Sequence, residues 1–118
     1  MTNEDNQLRI AIVGPCGAGK TTLAENLKGL GYNARQIAQE HSYVPEMWQR
    51  ITRPDLLIYL DASHQTAIDR KQINWTRREH NDQVHRLRHA REHCDIYIDT
   101  ESLSTDMVLE QVLEFIQA

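Results

Sequence analysis

The segment that most constrains this chain is Gly14-Pro15-Cys16-Gly17-Ala18-Gly19-Lys20-Thr21. It matches the pattern G-x-x-x-x-G-K-[ST], whose glycines let successive backbone N–H groups surround phosphate oxygens. The apolar run Leu8–Val13 precedes it and is typical of a strand, and leucines recur after it at helical spacing. A helix that begins at the loop would point its positive N-terminal end at the same anion. The sequence therefore predicts a strand, a phosphate-binding loop and a helix in succession.

This loop predicts a site for ATP, or for another nucleoside triphosphate, with Mg²⁺. We expect Lys20 to reach the β- and γ-phosphates, and the Thr21 hydroxyl to bind the metal ion. The residues predicted to bind the cofactor through the loop are Gly14, Pro15, Cys16, Gly17, Ala18, Gly19, Lys20, Thr21 and Thr22.

Length and composition limit the remaining choices. The chain has 118 residues, 40% hydrophobic and 25% charged, as expected for one globular domain over residues 1–118 with a frayed tail at 1–6. Neither a membrane-length apolar run nor a secretion signal is present in the sequence, which predicts a cytoplasmic protein with no membrane partner and with reduced thiols at Cys16 and Cys94. The net charge of −4 argues against nucleic acid as a partner.

Strand and helix patterns alternate along the chain. Further strands are predicted at Tyr32–Ala38, Asp55–Asp61 and Asp95–Asp99, and a short helix or turn at Ser42–Arg50. Residues 62–93 are predicted to be mostly helical with a break near 74–81, and Ser104 is predicted to cap a final helix. This order predicts an α/β fold: a three-layer P-loop NTPase sandwich around a small, roughly four-stranded parallel sheet.

Acidic residues follow the predicted strands at the end where ligands bind in such sheets. Asp61 is the first candidate for a second Mg²⁺ ligand and for a catalytic role, and Glu40 is the second candidate. Glu40 is also a candidate general base toward an acceptor hydroxyl. For Asp99 the pattern favours a structural role, since acidic residues commonly cap the turns after strands.

Two further segments resemble the P-loop nucleoside and nucleotide kinases, including the shikimate-kinase-like enzymes. Arg53–Ser63, followed by Ala67-Ile68-Asp69-Arg70, is similar to the strand and helix before the lid of those kinases. Cys94–Thr100, with Leu103-Ser104, is similar to their closing strand, loop and helix. With the phosphate-binding loop, these matches cover about two-thirds of the chain.

The resemblance implies roles for residues outside the loop. It implies a lid at residues 70–82, with Arg70 at its entry and Arg77 and Arg78 as catalytic residues over the transferring phosphoryl group. It also implies that the segment from Thr100 to Leu103 packs beside the adenine. The alternative for the basic residues of this region is a solvated helix face.

The chain departs from these kinases between its second and third predicted strands. Only Gln39–Pro54 lies there, where the kinases carry helices that bind the phosphoryl acceptor. Two functions therefore stay open: a kinase-type phosphotransferase for an unknown small-molecule acceptor, and a reduced kinase-like module for nucleotide binding or regulation. A structural domain with a vestigial loop is a third alternative. A chain without these elements is expected to complete its sheet or its site as a homodimer.

His85, His89 and His93 recur every four residues, next to Cys94. Two histidines at this spacing can hold Zn²⁺ on one helix face. Since neither a Cys-x-x-Cys nor a His-Glu-x-x-His motif accompanies them, the pattern favours a solvent-facing stripe of histidines.

Overall fold

A computed structural model describes residues 8–71 and 75–117. Its centre is a parallel sheet of four strands in the order β2-β1-β3-β4. The strands are β1 (Arg9–Val13), β2 (Asn33–Gln36), β3 (Leu56–Asp61) and β4 (Ile96–Asp99). In the register of the sheet, Ile10 of β1 lies between Ala34 of β2 and Leu56 of β3. The predicted α/β fold is confirmed.

Helices connect and cover these strands. They are α1 (Lys20–Gly29), α2 (Met47–Thr52), α3 (His64–Lys71), α4 (Arg77–Arg86), α5 (Arg88–His93) and α6 (Thr105–Gln117). A short 3-10 helix, Gln39–His41, follows β2. The predicted cap of α6 is confirmed, because the Met107 N–H donates to Ser104 Oγ at 3.2 Å.

The sheet is buried on both faces, which explains the almost continuous apolar sequence of β3. One face packs against α1 and α6, where Ile58 and Leu60 meet Leu27 and Val112. The opposite face packs against α2 and α5, where Tyr59 and other residues meet Trp48, Leu87 and Ala90. Successive residues of a strand point to opposite faces, so each face receives alternate side chains. These two cores make the predicted three layers.

The order of the sheet places β1 at a switch point. The chain leaves β1 through α1 to β2 on one side, and β3 pairs with β1 on the other side. Ligands of open parallel sheets bind in the crevice that such a reversal opens at the carboxyl ends of the strands. The phosphate-binding loop begins directly after β1 and therefore lies at that crevice.

Two predicted boundaries need correction. The break predicted near residues 74–81 is too long, because α4 already begins at Arg77. A capping box starts it: Thr76 Oγ1 accepts from the Glu79 N–H at 3.0 Å, and Glu79 Oε1 accepts from the Thr76 N–H at 2.8 Å. The helix predicted within Ser42–Arg50 lies later, at Met47–Thr52, and ends where Arg53 adopts a left-handed conformation before Pro54.

Some predictions concern residues outside those that the structure describes. The frayed tail at 1–6 lies there entirely, and the lid at 70–82 includes residues 72–74, which also lie there. Within the described ranges, every helix is too short or too polar to cross a membrane. The cytoplasmic location, the single-domain organisation and the homodimer stay predictions.

Candidate functional site

The phosphate-binding loop is shaped by close backbone packing at two glycines. Gly14 has a φ of 155°, and a Cβ there would overlap the carbonyl oxygen of Leu60 in β3. Gly17 has a φ of 86°, and a Cβ there would lie 2.8 Å from the Cα of Ala67 in α3. Only glycine combines these conformations with so close an approach. The loop is thus held between β3 and α3 by its backbone.

A cavity of about 480 Å³ opens beside this loop. On one side it is lined by the loop and the start of α1, and on the other by side chains from β2, the 3-10 helix, α3 and the segment before α6. The lining residues are Cys16, Gly17, Ala18, Gly19, Lys20, Thr21, Thr22, Leu23, Gln36, Glu40, Arg70, Lys71, Thr100, Leu103, Ser104, Thr105 and Val108. Most residues predicted to bind the cofactor are therefore brought together here; Gly14 and Pro15 are buried in the loop behind them.

Lys20 and Glu40 form an ion pair in the wall of this cavity. Lys20 is 6% exposed and Glu40 is 4% exposed. Lys20 Nζ donates to Glu40 Oε2 at 2.9 Å and to the carbonyl oxygen of Gly14 at 2.6 Å. Glu40 Oε1 is buried without a hydrogen-bond partner among the described residues. Burying a carboxylate oxygen without a donor is unfavourable.

The oxygen donors that Mg²⁺ prefers are present on the same cavity. Thr21 is exposed at the start of α1, and its Oγ1 accepts from Gln36 Nε2 at 2.8 Å. Glu40 supplies a carboxylate on the same cavity. A hydroxyl and a carboxylate, together with phosphate oxygens and water, suit a hard cation that keeps part of its hydration shell.

Asp61, the first candidate for the metal ligand, is engaged elsewhere. Its Oδ2 accepts from the hydroxyl of Tyr97 at 2.5 Å, and its Oδ1 accepts from the N–H of Ala62 at 2.9 Å. It lies outside the lining of the cavity. Burial and this bond to Asp61 raise the pKa of Tyr97 to about 12, which keeps the phenol a donor. In this geometry the Asp61 side chain joins the ends of β3 and β4.

Arg70 joins the phosphate-binding loop to the segment after β4. Its Nη1 donates to the carbonyl oxygen of Gly17 and to Thr100 Oγ1, both at 3.0 Å, and its Nη2 donates to the Thr100 carbonyl oxygen at 2.6 Å. Thr100 Oγ1 also lies 3.0 Å from the carbonyl oxygen of Ala18. These bonds fix the position of the loop relative to the segment after β4, which forms the other side of the cavity.

Arg77 and Arg78 lie apart from this cavity. Both are exposed in the first turn of α4, and neither side chain forms a hydrogen bond or ion pair within the part of the chain that the structure describes. The helix itself reaches the loop through Gln83, whose Oε1 accepts from the Cys16 N–H at 2.9 Å. Arg86 Nη1 donates to the carbonyl oxygen of Glu40 at 3.3 Å. The helix of the predicted lid thus touches the loop through residues that follow the two arginines.

The histidine stripe is divided by a helix boundary. α4 ends and α5 begins on either side of Leu87. His89 and His93 stack with their ring centroids 4.2 Å apart, and Trp48 Nε1 donates to His89 Nδ1 at 3.1 Å. His89 is therefore a half-buried packing residue rather than part of a solvent-facing stripe. Over residues 8–71 and 75–117, the histidines of this stripe and Cys94 form no metal-binding group. Both cysteines are free thiols, as predicted.

The comparison with known families agrees with this geometry. The family model described as "AAA domain" matches residues 10–99, well over half of the chain. The chain belongs to the AAA domain family. That family is related to the P-loop NTPases and includes kinase-like members. No curated protein matches the chain. The family assignment supports a P-loop nucleotide-binding domain, which is the common part of the functions predicted from the sequence.

Several cavity residues were not among the predicted site residues. Glu40 is predicted only as the second candidate carboxylate and Lys71 only as part of the lid at 70–82, and the predicted site does not include Gln36, Ser104 and Val108. For Gln36 a signal existed, because it ends a strand at the ligand-binding edge of the sheet. For Ser104 and Val108 the signal is weak, since they lie at the start of a helix whose orientation depends on packing.

Proposed function

We propose that this AAA-domain protein is an ATP- and Mg²⁺-dependent phosphotransferase of the kinase type, acting on a small hydroxyl acceptor. The observation that carries the proposal is Glu40, a buried carboxylate in the wall of the phosphate-binding cavity. A carboxylate by itself repels a triphosphate, so its place in this cavity is best explained by a metal ion or a proton that it holds. A phosphotransferase needs such a group, either to position the metal ion or to accept a proton.

The proposal divides the cavity into a nucleotide side and a reaction side. Leu103 and Val108 give the adenine an apolar surface next to Thr100. The loop N–H groups and Lys20 hold the phosphates. Thr21 would hold Mg²⁺, with Glu40 near it and Asp61 as the alternative carboxylate. When bound, the ion neutralises charge on the phosphate oxygens.

The reaction places Glu40 next to the acceptor. The hydroxyl oxygen of the acceptor would form a bond to the γ-phosphorus, the bond from that phosphorus to the bridging oxygen of ADP would break, and Glu40 would accept the hydroxyl proton. Once Glu40 is protonated, it no longer attracts the ammonium group of Lys20, which then pairs with the phosphate oxygens alone. Arg77 and Arg78 would act only if the start of α4 moved over the cavity, as expected of a lid.

The second candidate function is a nucleotide-binding or regulatory module without turnover. The observation that favours it is the short interval between β2 and β3, which holds only the 3-10 helix and α2. Trp48 of α2 is buried in the core, so its side chain is not accessible to an acceptor. An acceptor therefore has little surface to contact apart from the 3-10 helix and the loop after it.

Titration calorimetry with Mg-ATP and Mg-GTP tests the nucleotide site first. We expect Lys20→Ala to weaken ATP binding by more than about tenfold, because a charge-assisted contact to phosphate is lost. Lys28→Ala is the matched control, since Lys28 is exposed in the last turn of α1. If the folded wild-type protein bound neither nucleotide, the loop would be vestigial and both candidate functions would be rejected.

A screen of nucleosides, nucleotides and small hydroxyl metabolites then separates the two functions. With an acceptor found, we expect Glu40→Gln to lower turnover by about a hundredfold or more while ATP binding stays within tenfold. Glu25→Gln, exposed on α1, is the matched control. Unchanged turnover in Glu40→Gln would reject the role of Glu40. Intact ATP binding with no phosphorylated acceptor would favour the binding module.

A further inference from the structure

One group of side chains beside the phosphate-binding loop has no role in the proposed reaction as a set. Cys16 lies in the loop, and Glu40 and His41 lie in the 3-10 helix. Their ligand atoms are close together: Cys16 Sγ is 3.7 Å from His41 Nε2 and 4.0 Å from Glu40 Oε2. The His41 and Glu40 atoms are 3.8 Å apart. A thiol, an imidazole and a carboxylate thus converge on one point.

We propose that Cys16, Glu40 and His41 bind a soft divalent cation of the Zn²⁺ type. Zn–S distances of about 2.3 Å and Zn–N or Zn–O distances of about 2.0–2.2 Å place tetrahedral ligand atoms about 3.3–3.7 Å apart. The observed separations of 3.7, 3.8 and 4.0 Å need only shifts of a few tenths of an ångström. Three protein ligands leave a fourth position for water.

The buried carboxylate is an independent reason to expect a ligand here. Glu40 is 4% exposed, and its Oε1 has no hydrogen-bond partner among the described residues. Buried polar atoms are normally satisfied, so an unpartnered carboxylate oxygen calls for a donor or a cation. Lys20 bonds to the other oxygen, Oε2, and leaves Oε1 unchanged. The cluster distances are to Oε2, so an ion there gives Oε1 the partner that it lacks only if the carboxylate binds through both oxygens.

Charge and access are compatible with the ion. Zn²⁺ with one thiolate and one carboxylate has no net charge, so the ammonium of Lys20 can remain next to it. A carboxylate oxygen has more than one acceptor direction, which allows Oε2 to keep its bond to Lys20. The His41 side chain is 53% exposed and gives the ion a route from solvent.

The donor set also distinguishes this site from the Mg²⁺ site of the proposed reaction. Thiolate and imidazole favour Zn²⁺ and similar ions, whereas Mg²⁺ selects oxygen ligands. A bound Zn²⁺ would occupy the Glu40 carboxylate that accepts the proton in the proposed reaction, so we expect it to inhibit turnover. That consequence rests on the proposed function, whereas metal binding itself does not.

Absorption spectroscopy with Co²⁺ as the probe tests the site without any assay of activity. The full chain without a histidine tag is titrated with Co²⁺ and then with Zn²⁺. We expect one tetrahedral Co²⁺ per chain with a thiolate charge-transfer band, displaced by Zn²⁺ and unaffected by excess Mg²⁺. Cys16→Ser is expected to abolish that band. His41→Ala should weaken affinity by at least about tenfold, since even partners outside the ligand shell contribute ten- to a hundredfold.

Cys94→Ser and His93→Ala are the matched controls, because this second pair of a thiol and an imidazole lies outside the cluster. Both should bind Co²⁺ like the wild-type protein. His41 is exposed, so His41→Ala tests the site even if Cys16→Ser fails to fold. The proposal is overturned if folded wild-type protein shows no thiolate band. It is also overturned if the band survives in Cys16→Ser, or if His41→Ala binds Co²⁺ as tightly as the wild type.

Discussion

The phosphate-binding loop and the 3-10 helix beside it form neighbouring parts of one cavity, but their shapes have different physical origins. The loop depends on the absence of a side chain at its glycines, since a Cβ at Gly14 would overlap β3. The 3-10 helix depends on side chains, above all on Gln39, which is completely buried. Gln39 Oε1 accepts from the Trp48 N–H at 2.8 Å, and its Nε2 donates to the carbonyl oxygens of Val44 and Arg86.

This difference explains why the loop can be predicted from the sequence whereas the 3-10 helix cannot. A backbone-defined loop needs glycines at set positions, and this requirement leaves a motif. A side-chain-defined helix needs partners that are distant in sequence: Arg86 lies 47 positions from Gln39. Such partners leave no local pattern.

Gly14→Ala is expected to destabilise the protein by about 4 kcal/mol, or to prevent folding, because the new Cβ would overlap the Leu60 backbone. Urea unfolding followed by circular dichroism measures this. The matched control is Gly29→Ala in α1, where a Cβ meets no atom within 4 Å. There we expect unchanged or slightly higher stability, since alanine favours helix. Equal effects of the two substitutions would contradict a loop shaped by backbone contact.

Gln39→Ala is expected to cost about 2–3 kcal/mol, because it leaves the Trp48 N–H and two carbonyl groups without their partner in a buried region. The same unfolding measurement applies. Gln65→Ala, in the exposed part of α3, should change stability by less than about 0.5 kcal/mol. A loss as small as that of the control would show that the 3-10 helix does not depend on this side chain.

Tyr97→Phe is expected to cost about 1 kcal/mol, since it removes the bond to Asp61 at a position that is 41% exposed. The folded-state pKa of Tyr97 is raised from 10.0 to about 12, so its contribution is complete below pH 10 and is lost as pH rises toward 12. Unfolding free energies of both proteins from pH 8 upward should converge over that window. A constant difference would argue that the phenol bond is not the cause.

The smallest effect concerns His80 of α4, whose pKa is lowered from 6.5 by burial and by the neighbouring His64. The neutral ring is favoured in the fold, so its contribution is present above pH 6.5 and decreases as pH falls through the lowered folded-state pKa. We expect His80→Gln to remove part of this decrease, by less than about 1 kcal/mol because the ring is only half-buried. His85→Gln, on the exposed side of the same helix, is the matched control for urea unfolding between pH 5 and 8. An unaltered pH dependence in His80→Gln would contradict the prediction.

The sequence predictions are accurate for features set by local pattern and less accurate for features set by contacts between distant residues. The strand Asp55–Asp61 differs from β3 by one residue, because a doubly buried strand is continuously apolar. The predicted break extends to residue 81, whereas α4 begins at Arg77 behind a capping box that is itself a local sequence signal. Glu40 and Asp61 both follow strands at the same edge of the sheet, and their sequence context does not distinguish them. In the structure, Tyr97 bonds to Asp61, whereas Lys20 bonds to Glu40.

The sequence by itself determined the α/β fold and the phosphate-binding loop, because strand alternation, helical spacing and glycine positions are local requirements. Only the tertiary structure decided which carboxylate lines the cavity, that Arg70 joins the two sides of it, and that Cys16 lies beside Glu40 and His41. These depend on contacts between residues more than twenty positions apart in the chain. Their geometry depends on how the layers pack, and packing is a property of the whole fold.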